Sequence, residues 1–156
     1  MTSEPVGASL IERYLFTRGS RYFRGHHDGE FFYVANTRPR RLHVHLEISP
    51  THADVLVIRV TPTCFFRATE RSWLADFADT WNRQNREVTA IVHDSSDPQR
   101  IGVVARRSQS IPGSASFEDF ASFVDGTLAD AIDLFGRLAP VAGLPATAPP
   151  LLRYAS

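Results

Sequence analysis

The sequence predicts an α+β fold in the order α-β-β-β-β-α-β-β-α, an antiparallel sheet with helices packed on one face. Three observations carry this reading. Residues 41–48 alternate, with Leu42, Val44, Leu46 and Ile48 on one side and His43, His45 and Glu47 on the other. Residues 70–85 and 117–138 instead repeat their apolar positions at helical spacing. Asp28-Gly29 separates two aromatic-rich runs, the pattern of a hairpin.

The elements follow in order. Residues 6–18 form a short amphipathic helix with Ile11, Tyr14, Leu15 and Arg18 on one stripe, opened by Ser3 and Pro5 and closed by Gly19. Asp28-Gly29 then predicts a type I′ turn, whose positive φ glycine adopts without strain. Asn36-Thr37-Arg38-Pro39 ends the second strand, 41–48 make the third, and Val55–Val60, apolar on both faces, makes a central fourth. The middle helix buries Leu74, Phe77, Ala78 and Trp81. Strands Val88–His93 and Ile101–Arg107 follow. Ser116 and Asp119 form a capping box for the long helix 117–138. Its main stripe is Phe117, Phe120, Ala121, Val124, Leu128, Ala131, Phe135 and Leu138, with Phe123 and Leu134 off it. The reading is one domain over residues 1–140 and a Pro-rich appendage over 141–156.

Composition narrows the function. Among 156 residues, 17 arginines and no lysine balance 17 acids, so no basic excess points to nucleic acid. A single cysteine, Cys64, allows neither an internal disulfide nor a thiolate cluster, and its apolar neighbours predict a buried structural thiol. No apolar run has membrane-spanning length, and the acid near the N-terminus is unlike a signal peptide, so a cytoplasmic location is expected.

Three segments resemble the YbjN family, proposed bacterial sensory transduction regulators whose fold is similar to that of type III secretion chaperones. The first is Phe77-Ala78-Asp79-Thr80-Trp81-Asn82-Arg83-Gln84-Asn85, where the family closes its middle helix with a hydrophobic residue, Asn, two variable residues and Asn. The second is the downstream strand pair, and the third is the loop Ile111-Pro112-Gly113-Ser114 before the long helix. His26-His27, His43-x-His45 and the Pro-rich tail depart from the pattern. The resemblance implies a non-enzymatic, protein-binding or regulatory module that needs no cofactor, forms a homodimer and takes a client unnamed by the sequence.

Several residues are candidates for that work. Phe123 and Leu134, together with Leu151, Leu152 and Tyr154 of the tail, are expected to form a dimer or client surface. Asn82 and Asn85 suit a helix C-terminus, where Asn tolerates left-handed backbone. Arg18, Arg21, Arg24, Arg38, Arg40 and Arg41 make the first part basic, against five acids and no arginine over 117–135, an asymmetry able to steer an acidic partner. The alternative to a binding module is a small metal-dependent enzyme. His43, His45 and Glu47 project together from one strand about 7 Å apart, although a catalytic metal generally needs three ligands with outer support. The plain reading of that face is a solvated strand surface.

Overall fold

The structure, a computed structural model, describes residues 8–37, 41–52, 54–111, 115–138 and the backbone of 144–145. It is an α+β fold in which every strand pairing is antiparallel. Helix α1 (Ala8–Thr17) buries Leu10, Ile11, Tyr14 and Leu15. Gly19 ends it at φ 68°, where the Gly19 and Ser20 amides bond back to the carbonyls of Phe16 and Leu15.

Strands β1 (Tyr22–Arg24) and β2 (Glu30–Ala35) pair as a hairpin, but the turn differs from expectation. Five residues, 25–29, connect them, and Gly29 does not take positive φ. Gly29 instead sits in close packing: a Cβ there would lie 3.0 Å from Cβ of Ile48, so a larger residue needs Ile48 to give way. The Glu30 carboxylate folds back and accepts the His26 amide at 2.7 Å, organising the loop in place of a tight turn.

Strand β3 (Leu42–Ile48) lies between β2 and β4 (Val55–Pro62). A short strand that the sequence reading treats as loop, β5 (Cys64–Arg67), follows. It arises because β7 (Arg100–Ser110) is longer than β4: β4 occupies one edge of β7 along Ala105–Ser110, and β5 continues that edge at Arg100 and Ile101. Cys64 is accordingly half-buried at the sheet's margin, where strand β8 (Leu144–Pro145) pairs with β5. Part of the predicted tail is therefore a strand.

After a single 3₁₀ turn at Ala68–Glu70, α2 (Arg71–Asn82) buries Leu74, Ala78 and Trp81 and packs on β6 (Thr89–Asp94), which pairs with the free edge of β7. Helix α3 (Phe117–Arg137) begins with the Ser116–Asp119 capping box and packs against β4, β7 and α1. The three helices share one core with the Leu42, Val44, Leu46 and Ile48 side of β3. That leaves His43, His45 and Glu47 on the sheet's far side.

Candidate functional site

Trp81 is buried and Asn82 is exposed, and both side chains bond the backbone of β6 and of Val88 just before it. In a strand, alternate residues direct both backbone groups to the same edge. The Asn82 side-chain amide bonds the Ala90 carbonyl at 3.0 Å, and its oxygen accepts the Ala90 amide at 2.8 Å. The Trp81 indole donates to the Val88 carbonyl, while the Val88 amide donates to Asp130 of α3, both at 3.0 Å. Side chains thus occupy the outer edge of β6 at positions 88 and 90. Arg86 lies 4.0 Å over the Trp81 ring and bonds both Asp130 and Asp133, and Asn85 takes φ 53° to turn the chain.

The two off-stripe residues of α3 are not free. Leu134 is wholly buried within the chain, and Phe123 is half-buried with the Arg107 guanidinium 4.1 Å from its ring centre. The helix lies between the sheet and α1, so its buried face is wider than one stripe. Leu151, Leu152 and Tyr154 lie outside the described residues.

The far face of β3 also differs from expectation. His43 and His45 are only 2 % and 7 % exposed. β3 has a neighbour on each side, and Phe32 of β2 stacks on the His45 ring with centroids 4.7 Å apart. Nor do His43, His45 and Glu47 converge. His43 keeps to itself, its Nδ1 buried with no hydrogen-bond partner among the described residues, and burial, with the Arg41 charge, holds its pKa below the usual value. His45 and Glu47 turn to groups from neighbouring strands. The His45 Nε2–H donates to Glu30 at 2.8 Å and His27 Nε2–H to Glu47 at 2.9 Å, since a carboxylate can only accept. Arg59, opposite His45 on β4, approaches both His45 Nδ1 and Glu47 at 3.3 Å. Burial depresses the His45 pKa despite Glu30. Burial would raise that of Glu47, but His27, His45 and Arg59 outweigh it and hold the carboxylate below its usual range.

Glu30 and Arg59 were not among the sequence candidates, and His27 was only one of four further histidines, with His26, His52 and His93, available to the metal reading. The signal for them is register: the β2–β3 pairing sets Glu30 directly opposite Glu47. Two carboxylates so placed repel unless cations or donors intervene, which directs attention to nearby histidines and arginines once the register is known.

A second feature lies at the other end of this sheet edge. A cavity of about 730 Å³ opens beside the C-terminal end of α1, lined among others by Tyr14, Arg18, Arg21, Tyr33, Arg41 and Asp125. At its floor Asp125 accepts from the Tyr14 hydroxyl and from Arg18 at 2.6 Å. Burial, and then the bond to Asp125, push the Tyr14 pKa far up. The Tyr33 hydroxyl is buried beside that of Tyr14 without a well-formed hydrogen bond among the described residues. Phe23 lines the cavity and is 45 % exposed, and Phe16, at the same end of α1, is 84 % exposed. No described strand pairs with the outer edge of β1.

Comparison with solved structures bears on the whole arrangement. The chain superimposes on the crystal structure of YbjN from E. coli, a proposed transcription regulator, with a TM-score of 0.67, covering 92% of this chain and 100% of that one. The fold is similar to that of YbjN. Sequence identity over the match is 16%, so the likeness to YbjN is one of fold. No protein-family model and no curated protein matches the chain.

Proposed function

We propose that this chain is a non-enzymatic, protein-binding regulatory module, and that its partner is an extended acidic segment held at the α1–β1 edge. The observation that carries the reading is the composition of that edge. Exposed Phe23 stands with Arg18, Arg21 and Arg41 around a cavity, beside a terminal strand, and exposed Phe16 lies in the last turn of α1. Exposed aromatics and arginines are the residue types that dominate binding energy in interfaces. A terminal strand accepts an added strand through its backbone, and neighbouring pockets then select side chains. The guanidinium groups favour acidic partners and speed their encounter. The YbjN-like fold and the surface implied by its secretion-chaperone resemblance support the same reading. A cytoplasmic location and self-association belong to the proposal. A second copy cannot use Leu134, and Trp73 and Ile91 are large apolar side chains exposed elsewhere.

The test is selection from a displayed library of random peptides with the full chain as bait. Wild type should enrich acidic sequences, and the double variant Arg21→Glu, Phe23→Ser, with unchanged circular dichroism, should lose that enrichment. Selection without acidic bias, or equal enrichment by the folded variant, would count against the proposal.

A further inference from the structure

We propose that His27, Glu30 and Glu47 form a site for a zinc-class divalent cation, tying the 25–29 loop to strands β2 and β3. One donor atom from each residue lies within 4.8 Å of the other two, and His27 Nε2 is already 2.9 Å from Glu47 Oε2. Donors around tetrahedral zinc stand about 3.3 Å apart, so small side-chain rotations on the His27 loop complete the set. An imidazole nitrogen with carboxylate oxygens suits zinc, and three protein ligands leave a fourth position to water.

The neighbouring groups are arranged as outer partners of the ligands. Glu30 receives the His45 Nε2–H at 2.8 Å and the His26 amide at 2.7 Å. Arg59 holds Oε1 of Glu47, leaving Oε2 toward His27. Such partners orient ligating carboxylates and fix their charge. His45 therefore keeps its present tautomer and acts as a positioning residue for Glu30. Only His27 must change, moving its proton to Nδ1 and giving up the weak 3.3 Å contact from the Gly29 amide. The charges fit a dication, which offsets two carboxylates that the register sets face to face. The His27 side chain is 36% exposed, which opens a route for the ion. The site differs from the one expected on β3 alone: of His43, His45 and Glu47, only Glu47 is a ligand. It rests on this geometry and does not depend on the partner surface at α1.

Calorimetric titration of zinc into the chelator-treated full chain tests the proposal, with thermal melts in parallel. The expected result is saturation at about one equivalent and a raised melting temperature. His27→Ala and Glu47→Gln should each remove both effects while their zinc-free melts remain cooperative. His52→Ala, at an exposed histidine outside the cluster, should leave both intact. Cobalt should give the visible absorption of a tetrahedral site in wild type and not in His27→Ala. Failure of wild type to saturate, uptake that survives in both ligand variants, or uptake abolished by His52→Ala would overturn the assignment.

Discussion

Replacing Asn82 by alanine gives the sharpest test of how the middle helix is joined to the sheet. The substitution removes the two bonds, 3.0 and 2.8 Å, by which the side chain satisfies the Ala90 carbonyl and amide. Ala90 is buried but Asn82 is exposed, so both backbone groups lose their partner at an edge that water reaches only in part. A buried polar group left unsatisfied costs about 1–3 kcal/mol, and partial access at a sheet edge places the pair near ~2 kcal/mol. For a domain of this size that corresponds to a fall in melting temperature of roughly 4–8 °C. Asn82→Asp is the discriminating companion. It retains an acceptor for the Ala90 amide but sets a carboxylate oxygen against the Ala90 carbonyl, so it should rescue nothing. Urea and thermal denaturation followed by circular dichroism measure both. If Asn82→Ala stays within about 0.5 kcal/mol of wild type, as an ordinary surface change does, the side chain does not hold this edge. Full stability of Asn82→Asp would refute the two-bond account as well.

Two further outcomes follow from burial. Leu134→Ala should cost about 2–5 kcal/mol, the range for a core leucine, and Leu134→Glu should unfold the chain, seen as loss of the cooperative melt; a folded Leu134→Glu with a changed sedimentation mass would restore it to an interface. Stability should also fall as pH drops below the usual histidine value of 6.5, because burial lowers the His43 and His45 pKa values in the folded state, so the unfolded chain binds more protons there. The loss continues as pH falls through the depressed folded values, and His43→Leu should flatten the profile measured by urea denaturation between neutral and mildly acid pH; an unchanged slope would contradict the buried neutral ring.

Much of the fold was legible because it depends on local period. Leu42, Val44, Leu46 and Ile48 declare a strand face by alternation, and the Ser116–Asp119 box and Gly19 mark helix ends through bonds that span only a few residues. The same local logic misjudged the hairpin turn. Asp28-Gly29 carries the residues of a type I′ turn, yet contact with Ile48 and the fold-back of Glu30 decided the loop. Strand β5 escaped notice since four residues have too little period, and its existence depends on how far β7 outruns β4.

Burial of particular side chains was beyond the sequence for a related reason. Periodicity states which residues share a face, not what stands opposite that face. Leu134 looked unaccommodated on a single stripe, but α3 meets both the sheet and α1. His43 and His45 looked solvated until strands on both sides and the Phe32 ring enclosed them. The sequence by itself determined the residue types, the α+β class, the main helices and strands and the caps, since each follows from interactions between near neighbours or from regular period. Only the tertiary structure decided that Glu30 faces Glu47, that His27 and Arg59 reach them, and that Asn82 occupies the edge at Ala90. Those contacts depend on strand register and helix placement, which the packing of the whole core selects.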